Sequence, residues 1–116
     1  MPRTSGPRTW ATSPFMFGKR RDIEWKPVVH EGQQADLRAA VLQHQVVMQI
    51  RHVMHERGMT NDADLAAPTG LSVSQIGRVL RGQSAMTFNT LTAIEVALRT
   101  SLVRPAGAGG SDSTDK

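Results

Sequence analysis

The stretch Asp64-Leu65-Ala66-Ala67-Pro68-Thr69-Gly70-Leu71-Ser72-Val73-Ser74-Gln75-Ile76-Gly77-Arg78-Val79-Leu80-Arg81-Gly82 decides how the chain folds. Within it Ala66, Gly70, Ile76 and Val79 follow one another at intervals of four, six and three residues. A small residue at Ala66 lets two helices cross closely, Gly70 supplies a left-handed turn between them, and Ile76 with Val79 fills the angle they enclose. Asn61 is placed to cap the first helix, and Ser72-Val73-Ser74-Gln75 reads as a capping box opening the second, which Gly82 ends. This spacing predicts a helix-turn-helix. Its second helix stands clear of the body with Val73, Ser74, Gly77, Arg78 and Arg81 facing outward, a surface that fits a DNA major groove.

The flanks are also helical. Leu42, Val46, Ile50 and Val53, at spacings of four, four and three, predict a long helix from about Ala35 to Arg57 that stops at Gly58. Phe88, Leu91, Ile94 and Leu98 give the inward stripe of a last helix from Thr87 to about Arg99. The strand candidates are Asp22–Val29, held to an edge by Pro27, and Thr100–Arg104. The expected fold class is all-α, a compact four-helix domain with a long first helix, disordered termini and at most a short edge strand. Residues 1–21, with Pro2, Pro7, Pro14 and no acid, read as a flexible basic arm; 22–34 as an extended segment; 35–104 as the folded domain with its motif at 61–82; and 105–116 as a disordered Gly/Ser/Asp tail. Met16 offers a second translation start besides Met1.

Composition removes several functions. With 116 residues one domain is expected, and the absence of cysteine excludes disulfides, thiol nucleophiles and Cys-ligated metals. No tyrosine and 4% aromatics argue against a base-stacking RNA platform. No apolar run approaches the roughly 18 residues of a membrane span and no signal peptide is legible, so a cytoplasmic, nucleoid-associated protein is expected. No Ser/His/Asp order, Gly-rich phosphate loop or carboxylate pair suggests an enzyme, and no cofactor is expected. His52 and His55 with Glu56 lack a third oriented ligand, so no metal is expected either.

The net charge of +4 is unevenly placed. Arg3, Arg8, Lys19, Arg20 and Arg21 lie in the acid-free first 21 residues, whereas Ile50–Gly82 is nearly neutral. Lys19-Arg20-Arg21 is therefore expected to track phosphates or enter a minor groove. Deleting residues 1–21 is expected to flatten the salt dependence of binding while sparing sequence preference.

From Ile50 to Leu98 the chain resembles the lambda-repressor-like helix-turn-helix proteins of the Xre and phage repressor type. The resemblance runs through Ile50-Arg51-His52-Val53, Glu56-Arg57-Gly58-Met59-Thr60, Asp64–Ser72, Ile76–Gly82 and Met86–Leu98. It implies DNA binding, with base edges read by Val73 (a thymine methyl), Ser74, Gln75 (adenine) and Arg78 (guanine). Gln75 has the alternative of closing the capping box, and Arg78 that of touching a phosphate or only solvent. Phosphate contacts are implied at the helix ends, by Asn61, Thr87 and Asn89, and by Arg81.

The departures carry information. Asn61-Asp62-Ala63 carries one inserted residue where relatives begin their second helix with Gln, and Pro68 should shorten or kink that helix. Where the family often has a buried Arg–Glu pair, this chain has Met54 and Leu80, an apolar exchange that is energetically coherent. A fifth, dimer-forming helix is missing. A homodimer would then use the row Leu37, Val41 and Met48, unless that row packs on the Trp25 segment, or strand pairing through Thr100–Arg104. The function implied is a sequence-specific double-stranded DNA-binding transcriptional repressor acting as a dimer on a pseudo-palindrome. The alternatives are an antitoxin that binds a toxin or effector protein and represses its own operon, and a plasmid or nucleoid DNA adaptor.

Overall fold

A computed structural model of the chain describes residues 6–102. Arg3, Val103, Arg104 and the expected tail at 105–116 lie outside the described residues. The fold is all-helical: α1 (Gln34–Glu56), α2 (Asp62–Thr69), α3 (Val73–Leu80) and α4 (Phe88–Leu98), preceded by short 3-10 turns at Pro7–Trp10, Pro14–Met16 and Glu31–Gln33. The chain's local chemistry sets the boundaries. The Asn61 side chain accepts from the Asp64 amide at 2.9 Å, and the Asp64 carboxylate in turn accepts from the Thr60 amide at 2.8 Å. Gly70 then turns the chain with φ +78°, a conformation that glycine adopts at least cost. Thr87 caps α4 by accepting from the Thr90 amide at 3.1 Å.

α1 buries Val46, Val47, Ile50, Val53 and Met54 on one face against Leu65 and Ala66 of α2, Ile76 and Leu80 of α3, and Ile94 and Leu98 of α4. Met54 and Leu80, the apolar replacements for the family's ion pair, both lie in this cluster. Leu102 is buried there too.

Two positions of the expected stripes face out. Leu42 is 50% exposed and Phe88 85% exposed. The buried arc of α1 centres between Val46 and Val47, about a quarter turn from Leu42 at 100° per residue. Phe88 is the first residue of α4; helical side chains lean toward the N-terminus, so its ring overhangs the helix end. Both side chains line a groove of about 1000 Å³ between the Pro7–Trp10 turn, α1 and α4.

The largest difference from expectation lies at the N-terminus, where residues 6–21 are packed rather than free. The Arg8 amide donates to the Gly82 carbonyl at 2.9 Å, the Thr12 amide to Glu24 at 3.0 Å and the Lys26 amide to Trp10 at 2.8 Å. Phe17 is 1% exposed and belongs to the core. Gly82, at φ +74°, lies directly beneath it: a Cβ there would come within 2.6 Å of the Phe17 ring. The anchoring comes from a few rings, which a Pro-rich, acid-free composition averages away. Deleting residues 1–21 would thus remove part of the core and not only charge. Among the described residues there is no strand; Ala11 and Trp25 form an isolated antiparallel bridge in place of the expected Asp22–Val29 edge, and Thr100–Leu102 is not extended into a ladder.

Candidate nucleic-acid interface

α3 is amphipathic in a way that divides its work. Ile76, Gly77, Val79 and Leu80 are buried, while Val73, Ser74, Gln75 and Arg78 are exposed. Gly77 was expected to face outward and instead lies under the Arg81–Asp62 ion pair, which closes at 3.4 Å. A Cβ at Gly77 would meet the Asp62 carboxylate and the Arg81 guanidinium at 2.9 Å, so the glycine lets α2 and α3 approach. The capping box forms: the Gln75 amide donates to Ser72 Oγ at 3.0 Å and the Ser72 amide donates to Gln75 Oε1 at 3.2 Å. Gln75 therefore has its amide nitrogen left for a ligand. The Arg78 side chain has no hydrogen-bond or ion-pair partner among the described residues.

Around α3 the candidate phosphate contacts differ in availability. Asn61 Oδ1 is used by the cap of α2, whose first turn carries Asp62 and Asp64; that negative charge opposes a phosphate at this helix end. Arg81 is shared between Asp62 and Gln83. Thr87 and Asn89 are exposed at the start of α4, and Lys19, Arg20 and Arg21 are exposed beside α1. Arg51 of α1 points to the C-terminal end of α3, where its guanidinium approaches the Leu80 carbonyl at 3.5 Å. Its burial lowers the Arg51 pKa, Asp62 raises it and Arg81 lowers it. No group of three metal-ligating side chains occurs among the described residues, and His52 instead approaches Glu56 at 3.3 Å.

Two buried polar residues that the sequence patterns missed position this surface. Gln43 Nε2 donates to the Val79 carbonyl at 2.9 Å and to Ser84 at 3.0 Å, while its Oε1 accepts from the Met86 amide at 2.8 Å. One side chain thus ties the end of α3 and the start of α4 to α1. His44 does the same for the N-terminal segment, accepting from the Gly18 amide through Nδ1 at 2.8 Å.

Residues 49–102, which span α2, the turn and α3 with their flanking helices, match the family model of the Cro/C1-type HTH DNA-binding domain. This segment is similar to the lambda-repressor-like helix-turn-helix domains. No curated protein and no solved structure matches the chain. The Cro/C1-type match begins at Gln49, in the second half of α1. The first half of α1 and the N-terminal segment that covers Gly82 thus lie outside the matched domain. The match supports a role in DNA-binding transcription regulation. No helix among the described residues is long and apolar enough to cross a membrane.

Proposed function

We propose that the protein is a sequence-specific repressor, cytoplasmic and nucleoid-associated, that reads the major groove of double-stranded DNA as a homodimer on a pseudo-palindrome. The observation that carries this reading is the exposed face of α3. Val73, Ser74 and Gln75 stand at its N-terminal end and Arg78 one turn further, with no partner of their own for the arginine. Arg78 is the residue suited to a bidentate contact with guanine O6 and N7, Val73 to a thymine methyl, and Gln75 to adenine through the nitrogen that the capping box leaves open. Thr87, Asn89 and the exposed cations Lys19, Arg20 and Arg21 supply phosphate contacts; Arg81 and Asn61, both engaged within the fold, contribute less.

Selection from random duplexes tests the reading directly. A two-fold symmetric motif is expected, with half-sites about one helical turn apart. Arg78→Ala should cost about 1–3 kcal/mol on the selected site and relax preference at one position per half-site; recovery of no motif, or an unchanged preference in the variant, would refute base reading by α3. Replacing Lys19, Arg20 and Arg21 together by Gln leaves Phe17 in the core. It should reduce the salt slope of binding by up to about 0.9 per lost phosphate contact with the motif retained. An unchanged slope would exclude these side chains from the interface.

A further inference from the structure

His44 is 3% exposed on α1, between the rings of Phe17 and Trp25, whose centroids lie at 5.5 and 5.4 Å. Gly18 N–H donates to its Nδ1 at 2.8 Å, so Nδ1 carries a lone pair and the ring proton sits on Nε2, which faces the Arg21 carbonyl at 3.4 Å. Its two nitrogens thus grip both ends of Gly18–Arg21, and Lys19, Arg20 and Arg21 fall between or at those grips. Gly18 has no room to move inward, since a Cβ there would come within 2.8 Å of the Leu80 carbonyl and 2.6 Å of Val47.

We propose that His44 is a positioning residue for DNA binding: as a neutral acceptor it latches residues 17–21 to α1, and a proton on Nδ1 releases the latch and with it the fixed presentation of Lys19, Arg20 and Arg21. The proposal rests on the DNA-binding reading above. A protonated Nδ1 would set one donor against another at Gly18. His44 lines a second groove, between the N-terminal segment and α1, whose other charged and titratable groups are Lys19, Arg21 and Asp22 from the N-terminal segment and Arg51 and His52 from α1. Desolvation lowers the His44 pKa from the usual 6.5, with the carbonyls of Arg21 and Arg20 opposing that shift. The latch is therefore at full strength above pH 6.5, the value of a released histidine, and weakens as pH falls below it toward the lower latched value, by at most about tenfold in the opening equilibrium per pH unit.

The test uses the full chain between about pH 5 and 8, following the protection factor of the Gly18 amide by NMR and, in parallel, the affinity for a mixed-sequence duplex at low salt. In the wild type both are expected to be flat above pH 6.5 and to fall together below it, the protection factor by at most about tenfold per unit. His44→Gln, whose carbonyl accepts and whose NH₂ donates without titrating, should hold both flat through the acid range. Gly18 protection that does not fall in the wild type overturns the latch, as does a His44→Gln profile that tracks the wild type. Protection that falls while affinity does not overturns the link to presentation. Failure to bind any duplex at neutral pH sinks the DNA reading instead, and the Gly18 titration separates that result from failure of the latch.

Discussion

Met54→Arg is expected to leave most of the protein unfolded at temperatures where the parent is native. Met54 lies in the core with Leu80, Val53 and Ile50, and Arg51, one turn before it on α1, is itself partly buried and directed at the Leu80 carbonyl. A second guanidinium on this face would enter a cluster of apolar side chains, and among the described residues no acid is buried with them. An uncompensated buried charge costs about 3–5 kcal/mol or more, a large part of the roughly 5–15 kcal/mol that holds a domain of this size together. The thermal midpoint should drop by about 15 °C or more. Met54→Leu, which keeps volume and polarity, should cost less than about 1.5 kcal/mol. A melt of Met54→Arg within a few degrees of the parent would show that position 54 has a path to solvent. Adding Leu80→Glu should recover part of the loss, because the two positions correspond to the pair that relatives fill with opposite charges.

Gln43→Leu carries the second large effect. The side chain has similar volume, but it cannot serve the Met86 amide or the carbonyls of Val79 and Ser84. The Val79 carbonyl keeps the Gly82 amide at 3.1 Å, so the Ser84 carbonyl and the Met86 amide are the groups left without partners, and at about 1–3 kcal/mol each denaturant unfolding should show a loss of roughly 2–6 kcal/mol. Ser84 and Met86 belong to the loop between α3 and α4, so any remaining folded protein should also bind its selected site more weakly, with unchanged base preference. A loss under about 1 kcal/mol would mean that water or a loop shift satisfies both groups.

These two positions mark where sequence reading succeeds and where it stops. Asn61, Gly70, Ser72 and Thr87 announce themselves because each acts on amides or turns within four residues of itself, and the family pattern is built from such local rules. Met54 and Leu80 were legible as a matched pair only against that pattern. Gln43 and His44 were not legible: their partners are 23 to 43 residues away, and a polar residue at a helical core position looks like an interruption of the stripe. The same distance effect hid the N-terminal segment. Its composition is that of a free arm, and only the cavity over Gly82 shows why Phe17 is held. Gly77 misled in the opposite sense, since periodicity placed it outward while the steep crossing of α2 and α3 needed a position without a side chain.

The packing of Phe17 over Gly82 also has a temporal side. On the ribosome Phe17 and Trp25 emerge first, yet the surface that receives Phe17 is completed only when α3 and its closing turn have been made. Domains generally fold as units as they are synthesised, and contacts between distant parts of the chain are the slow ones. The helix-turn-helix can assemble from neighbouring segments, whereas the N-terminal segment must wait with its rings exposed and dock last. During that interval the nascent chain displays Trp10, Phe17 and Trp25 together, the period of synthesis in which it is most open to chaperone capture or aggregation.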